Sequence, residues 1–182
     1  IKAGDNVVVY GGGAIGLLLM QLARMRGAAR VILVEPVEAK REMAERLGAA
    51  FTIDPANEDV AETLRKHGVL HVQSVIETCG LKKTSEEAMD IVDRHGTVVL
   101  FAVTAVDNVT GLKTYNLFQR EITVKGSLCS PYDIGRAAEL INAHAIDVTT
   151  MLAGCESLEK LPEILASPAL RAKGKYIILP NG

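Results

Sequence analysis

The chain has 182 residues, of which 48% are hydrophobic and 23% are charged, and this length is sufficient to bury a substantial core. Its formal net charge of −2 gives no basis for a nucleic-acid partner, and the apolar LLLM run at residues 17–20 is too short to span a bilayer. Its three cysteines form no CxxC pair, which argues against a disulfide framework and a local zinc site and predicts a protein of the reducing cytoplasm.

The first predicted element is an apolar strand, residues 7–10, that runs directly into a glycine cluster. Gly11, Gly13 and Gly16 form a GxGxxG pattern. The first glycine allows a tight turn, the second lets a pyrophosphate approach the backbone, and the third lets the next helix pack closely. The residues from Ala14 onward are good helix formers without proline. Because the amides of a first helical turn are unpaired, the pattern predicts a phosphate-binding turn.

A second strand, residues 31–34, follows this helix and ends at Glu35. The acid lies about 20 residues beyond the glycines, at the spacing of the residue that binds the ribose hydroxyls in dinucleotide folds. The alternative interpretation is an ordinary glycine turn followed by a solvated strand-end carboxylate. The succession of strand, glycines, helix, strand and acid favours dinucleotide binding.

Strands and helices continue to alternate, which predicts an α/β fold with a doubly wound, six-stranded parallel sheet of the Rossmann type. We divide the chain into a dinucleotide-binding domain at residues 1–130 and a C-terminal helix and strand extension at residues 131–182, which we expect to dock on the sheet without joining its core. The later predicted elements are helix 38–48, strand 49–54, helix 60–67, strand 71–77, helix 85–92, strand 97–103, a looser stretch 104–121, strand 122–128, helix 132–147, a short apolar strand, a helix around 158–165 and strand 176–179.

The carboxyl ends of these strands form the candidate site, because ligands of such sheets bind at that edge, near the switch in strand order. This places the glycine turn and Glu35 beside three later segments, residues 77–80, 101–103 and 127–129. Core packing and turn formation are the alternative roles of those later segments. Cys79 and Cys129 need no reactive role, because a free cysteine commonly behaves as a small buried hydrophobe.

Several motifs together resemble the cofactor-binding half of the zinc-dependent medium-chain dehydrogenases, most closely the sorbitol and threonine dehydrogenase branch of the alcohol dehydrogenase family. The likeness covers nearly the whole chain, and the motifs keep their order. They are the run from IKAGDNVVVYGGGAIG to VILVEP, followed by KREMAERLGAAFTID, VIETCG, GTVVLFAV and EITVKGSLCSPYD.

The resemblance implies NAD as the cofactor. It implies that the backbone around Gly13, Ala14 and Ile15 binds the pyrophosphate. Glu35 would bind the adenosine ribose, with Lys40 assisting. Ala14 stands where this branch often has proline, and Glu35 where many members have aspartate; a longer acid still suits a ribose diol.

The resemblance assigns the later segments to the rest of the cofactor. Thr78 and Cys79 would line the cofactor groove. Five residues would lie beside the nicotinamide, with main-chain groups reaching its carboxamide: Phe101, Ala102, Val103, Ser127 and Leu128.

The resemblance also implies that this chain is one part of a larger enzyme. In the family a separate amino-terminal domain supplies the ligands of a catalytic zinc, so we assign no catalytic and no metal-binding residue here. That domain would hold an alcohol or polyol substrate, and this chain, which begins at Ile1, would bind NAD without turnover alone. We expect a homo-oligomer joined through the edge of the sixth strand, with no nucleic-acid or membrane partner.

Three other interpretations remain. A methyltransferase that binds S-adenosylmethionine also uses a glycine-rich turn and an acid after the second strand, although here the glycines lead straight into a helix. A non-catalytic nucleotide-sensing module would share every feature of this chain. Within the dehydrogenases, a zinc-free quinone reductase relative is the nearest alternative.

Overall fold

Six parallel strands form the central sheet of the protein, whose computed structural model describes residues 1–128 and 132–181. The strands are β1 Asn6–Tyr10, β2 Arg30–Val34, β3 Phe51–Ile53, β4 Ser74–Glu77, β5 Thr97–Leu100 and β6 Thr123–Gly126. They lie in the order β3-β2-β1-β4-β5-β6, and every neighbouring pair is parallel. The order reverses direction at β1, which lies between β2 and β4.

A helix follows each of the first five strands and returns the chain to the start of the next one. These helices are α1 Ala14–Met25, α2 Glu38–Arg46, α3 Val60–Lys66, α4 Lys82–Ile91 and α5 Thr114–Arg120. They cover both faces of the sheet, because parallel strands need long crossovers that pack back onto it. The doubly wound fold is thereby confirmed.

The apolar run of β1 is explained by two separate apolar clusters, one on each face of the sheet. Val7 and Val9 pack in the cluster formed with α1 and α2, whereas Val8 and Tyr10 pack in the cluster formed with α3 and α4. All four side chains are at most 1% exposed. A strand buried on both faces therefore needs a continuous apolar run and shows no alternation.

The C-terminal extension contains a second, two-stranded parallel sheet. Its elements are α6 Ile134–Asn142, β7 Leu152–Ser157, a 3₁₀ turn Leu158–Lys160, α7 Leu161–Ala166, α8 Pro168–Ala172 and β8 Lys175–Leu179, with β7 paired to β8. Met151, which is 5% exposed, packs in the α1/α2 cluster of the main sheet. The expectation that the extension stays outside the core is therefore wrong at this residue, while the boundary at residue 130 stays a prediction.

The structure adds elements and shortens others relative to the sequence analysis. The stretch described as loose contains α5, and α8 was not expected. Residues 101–103 lie beyond the end of β5. The large apolar side chains of α6 are largely uncovered, since Ile134 is 87% and Ile141 is 42% exposed. No helix within residues 1–128 and 132–181 is long and apolar enough to cross a membrane.

Candidate functional site

The glycine turn lies at the carboxyl end of β1, and two of its glycines are required by packing. Gly11 has a φ of +100°, a left-handed conformation that favours glycine. A Cβ at this residue would also lie 2.6 Å from the Thr78 hydroxyl oxygen. A Cβ at Gly16 would collide with the carbonyl oxygen of Gly11. These two residues therefore let β1, α1 and the loop after β4 approach one another closely.

The environment of Gly13 is more open than that of Gly11 and Gly16. The φ of −72° and ψ of 172° of Gly13 are extended values that any residue can adopt. No heavy atom lies within 4 Å of the position that a Cβ would take. The residue is exposed at the start of α1, so its missing side chain leaves open space at the surface of the site.

The N-terminus of α1 meets this open space. Gly13 is the N-cap, no side chain caps the amides of the first turn, and the first turn contains no acidic residue. Ala14 is half-buried, and Ile15 is 50% exposed. A helix of 12 residues with a bare first turn presents unpaired N–H groups and a partial positive charge, which suits a phosphate.

Glu35 follows β2 and turns its carboxylate toward the glycine turn. The side chain is buried, with the residue 5% exposed. Its Oε2 accepts a hydrogen bond of 2.6 Å from the amide of Gly12, and its Oε1 accepts one of 3.0 Å from the amide of Val37. A Cβ at Gly12 would lie 2.9 Å from Cγ of Glu35. Gly12 thus admits the acid into the turn, a role that the GxGxxG pattern, which leaves this position open, did not predict.

Two basic residues of α2 lie near this acid. The ammonium of Lys40 is 3.9 Å from Oε1 of Glu35, and a Cβ at Gly12 would lie 3.1 Å from Cβ of Lys40. Arg41 donates hydrogen bonds to the carbonyls of Glu35 (2.9 Å) and Pro36 (2.7 Å). Lys40 therefore lies beside the carboxylate, whereas Arg41 is engaged by the backbone behind it.

The loop after β4 forms the opposite wall of the site and is held by the buried carboxylate of Glu77. That residue is 1% exposed and accepts hydrogen bonds from the amides of Cys79 (2.8 Å) and Gly80 (2.9 Å) and from the hydroxyl of Thr84 (2.8 Å). Thr78 donates its hydroxyl to the carbonyl of Tyr10, at 2.6 Å. The loop is therefore fixed to both β1 and α4.

Cys79 lies in this loop. The residue is exposed, but desolvation of its thiol, together with the negative charges of Glu77 and Glu35, raises the pKa of the thiol to about 12. A thiol with this pKa is almost entirely protonated near neutral pH, so Cys79 is a poor nucleophile. Cys79 is not the small buried hydrophobe that the sequence analysis expected, because it is exposed, and the raised pKa is what limits its reactivity.

These segments together form a groove of about 410 Å³ at the switch in strand order. It is lined by nine of the residues expected to contact the cofactor, and by one residue that the sequence analysis missed, Lys175 at the start of β8. The nine are Gly11, Gly13, Ala14, Ile15, Gly16, Glu35, Lys40, Thr78 and Cys79.

Lys175 also borders a second cavity of about 380 Å³ between α1, α2 and the extension. No acid of residues 1–128 and 132–181 forms an ion pair with it. No sequence signal identifies this lysine, because it lies far along the chain from the glycines in an ordinary basic stretch. It lines the same groove as the bare N-terminus of α1.

The five residues expected beside the nicotinamide lie after β5 and β6, at the same edge of the sheet. They do not line either cavity. Phe101 donates its amide to the carbonyl of Glu77, at 2.9 Å, and packs against the α1/α2 cluster. Ala102 lies close to the loop after β4, where a Cβ at Gly80 would lie 3.1 Å from its Cβ. Val103 and Leu128 are 94% and 87% exposed, and Ser127 is also exposed.

Cys129, the last residue of that expected segment, lies outside the described residues. The three exposed residues of these segments, Val103, Ser127 and Leu128, leave this part of the edge open. Across residues 1–128 and 132–181, no three His, Cys, Asp or Glu side chains converge to hold a metal ion.

Comparisons with known proteins agree with this geometry. A family described as "Zinc-binding dehydrogenase" matches residues 14–143. A solved structure described as a zinc-binding dehydrogenase from Sinorhizobium meliloti 1021, bound to NADP, superposes with a TM-score of 0.93 at 36% identity. The match covers 99% of this chain and 54% of that one.

Curated relatives give the same picture. The NDMA-dependent alcohol dehydrogenase of Amycolatopsis methanolica is 34% identical over 90% of this chain and 46% of its own length. The D-arabinitol dehydrogenase 1 of Uromyces fabae is 29% identical over 99% of this chain and 53% of its own length. The chain therefore spans about half the length of the relatives that it matches.

Proposed function

The chain belongs to the zinc-binding dehydrogenase family, and from this premise we propose that it is the NAD-binding part of an oxidoreductase that transfers a hydride between an alcohol or polyol and nicotinamide. One observation carries the proposal. The groove at the strand-order switch combines the uncapped N-terminus of α1, the open face of Gly13 and the inward carboxylate of Glu35. That combination suits a pyrophosphate joined to a ribose.

Each part of the groove has a role in this proposal. The amides at Gly13, Ala14 and Ile15 bind the pyrophosphate, and the ammonium of Lys175 adds a charge-assisted contact. Glu35 accepts hydrogen bonds from the adenosine ribose hydroxyls, with Lys40 beside it.

The loop after β4 forms the wall against which the nucleotide lies, through Thr78 and Cys79. The exposed segments after β5 and β6 take the nicotinamide end. Those segments carry Phe101, Ala102, Val103, Ser127 and Leu128.

The alcohol and the zinc of the family are assigned to other parts of the whole enzyme. The described residues hold no cluster of metal ligands, so they do not fit a zinc site. In the family's chemistry, zinc polarises the oxygen of the alcohol as a Lewis acid. The residues of this chain bind and orient the nicotinamide that receives the hydride.

We further propose a homo-oligomer joined through the free edge of β6, and a cytoplasmic location. The edge position of β6 supports the first. The cysteine content supports the second.

Calorimetric titration of the chain with NAD tests the binding proposal. We expect saturable binding of NAD and none of S-adenosylmethionine, because only the dinucleotide offers a pyrophosphate to the N-terminus of α1. An alcohol mixed with NAD should give no NADH with this chain alone. Binding of S-adenosylmethionine in place of NAD would show that the groove serves a different cofactor.

A further inference from the structure

A buried amide links α1 to the C-terminal extension. Gln21 is 8% exposed on α1 and donates Nε2 to the carbonyl of Asp147, at 2.9 Å. The amide of Asp147 donates in return to Oε1 of Gln21, at 2.6 Å. Both polar groups of the side chain are thus used by the backbone of a single residue, although 126 positions separate the two residues.

A hydrogen-bonded path leads from this contact to the groove. The carboxylate of Asp147 accepts hydrogen bonds from the amides of Thr149 (2.8 Å) and Thr150 (3.0 Å), and these bonds fix the turn before β7. The next residue, Met151, is buried in the α1/α2 cluster. Its carbonyl accepts a hydrogen bond of 2.7 Å from the amide of Lys175.

The start of β8 has little freedom at this point. A Cβ at Gly174 would lie 2.5 Å from the carbonyl oxygen of Met151, so the two backbones are in close contact. The backbone position of Lys175 therefore follows that of Met151, and Met151 follows the turn held by Gln21.

We propose that Gln21 is a positioning residue for the dinucleotide: it sets the distance between the N-terminus of α1 and the ammonium of Lys175, so that both reach the same pyrophosphate. This inference rests on the proposed function. Gln21 lies two turns into α1, about 10 Å along the helix axis from its first residue. Helix α1 thus has two roles. Its N-terminal amides bind the phosphate, and Gln21 near its middle holds the segment that carries Lys175.

A positioning role and a purely structural role of Gln21 predict different losses of ligand affinity. A structural loss would weaken the binding of every ligand of the groove. Loss of position at Lys175 weakens only ligands that contain the pyrophosphate, because adenosine contacts the Glu35 side of the groove. Comparison of NAD with adenosine therefore separates the two roles.

The experiment is calorimetric titration of NAD and of adenosine into Gln21→Met, Lys175→Ala and the double variant. Methionine matches the length of glutamine and suits a buried site. We expect Lys175→Ala to weaken NAD about tenfold through loss of one charge-assisted contact, and Gln21→Met to weaken it by most of the same factor. The double variant should bind NAD as Lys175→Ala does, and adenosine affinity should stay unchanged in all three.

Two controls match these changes. Arg24→Met removes another hydrogen bond from α1 to backbone, the 3.2 Å contact with the Leu47 carbonyl, and should leave NAD affinity unchanged. Lys173→Ala removes a neighbouring cation that lines neither cavity. If Gln21→Met does not fold, Gln21→Glu keeps an acceptor for the Asp147 amide but sets a carboxylate oxygen against the Asp147 carbonyl, so it should also weaken NAD and leave adenosine affinity unchanged.

Three results would overturn the inference: normal NAD affinity in Gln21→Met, an equal loss for NAD and adenosine, or losses from Gln21→Met and Lys175→Ala that multiply in the double variant. Normal NAD affinity in Lys175→Ala would overturn it as well, since no cation would then need positioning. A native chain that binds neither NAD nor NADP would instead refute the proposed function.

Discussion

At the scale of single residues, the three glycines of the GxGxxG pattern have different roles. Gly11 and Gly16 are required by the fold, because a side chain at either would strike a neighbouring loop or carbonyl. Gly13 is required by neither conformation nor packing. The proposed pyrophosphate would explain its absent side chain, so binding and stability should be separable by mutation at this residue.

Gly13→Val should abolish NAD binding and leave the melting temperature within about 2 °C of the native value, as expected for a surface change without strain. Gly16→Val is the matched control, and its clash with the Gly11 carbonyl should destabilise the protein by about 1–3 kcal/mol. Calorimetry and thermal unfolding measure the two effects. Retained NAD affinity in Gly13→Val would mean that the nucleotide lies elsewhere.

NAD should bind more tightly than NADP. The 2′-phosphate of NADP would meet the carboxylate of Glu35, which two backbone amides hold in place. Arg41 would not offset this repulsion, because its guanidinium donates to the backbone carbonyl of Glu35. Repulsion of this kind can cost several kcal/mol, or about tenfold in affinity for each 1.4 kcal/mol. The similar structure from Sinorhizobium meliloti holds NADP, so the relative affinity of this chain for the two cofactors directly tests the role of Glu35.

The comparison is made by titrating both cofactors into the native chain and into Glu35→Ser. The variant removes the negative charge and should gain affinity for NADP while losing affinity for NAD. Equal or tighter binding of NADP by the native chain would contradict the prediction, as would a variant that gains nothing.

Sequence reasoning proposed the candidate residues that follow a local pattern and missed those that enter the groove through distant contacts. Glu35 was found because its spacing from the glycines is fixed by one helix and one strand. Gly12 acts through a hydrogen bond to Glu35, which lies in another loop, and Lys175 reaches the groove only through the fold of the extension. Such positions depend on tertiary structure, which no short-range pattern reports.

At the scale of elements, the buried strands and most helices were predicted, whereas two short helices, α5 and α8, were missed. α5 has seven residues and no side-chain cap, and contacts with α4 hold it, including a 3.2 Å hydrogen bond from Arg120 to the carbonyl of Met89. A helix this short is marginal without tertiary contacts, so its own sequence carries a weak signal. α8 did carry a signal, because Ser167 caps it and Pro168 begins it.

The β6 edge should join two copies of the chain. β6 ends the sheet, and among the described strands it has a partner only on the side of β5. Free backbone groups on such an edge favour pairing with another strand. Sedimentation velocity should therefore show a dimer, and a strict monomer across the micromolar range would count against this pairing.

At the scale of the whole molecule, the main sheet and the extension differ in how they are buried. The main sheet has a core on both faces, whereas Met151, Ile146 and Ile164 are the only hydrophobic residues among described residues 132–181 that are buried. β7 and β8 form a sheet of two strands, an arrangement that is marginal alone in water.

Amide hydrogen exchange should be slowest in β1, β2 and β4 and faster beyond about Thr149, since local opening costs less where few apolar contacts must break. Mass spectrometry of exchanged peptides measures this directly. NAD should slow exchange in β8 if Lys175 contacts the cofactor. Uniformly slow exchange from residue 7 to residue 179 would contradict a less stable extension.

The position of β1 in the strand order also fixes when the binding site can form during folding. Val7 pairs with Val31 on one side and with the much more distant Ser74 on the other. Because closing a longer loop costs more chain entropy, the β1–β2 unit should form first, and the groove, whose second wall follows β4, should form only after the distant pairing. In stopped-flow refolding, the gain of NADH fluorescence should therefore lag behind the gain of helical circular dichroism.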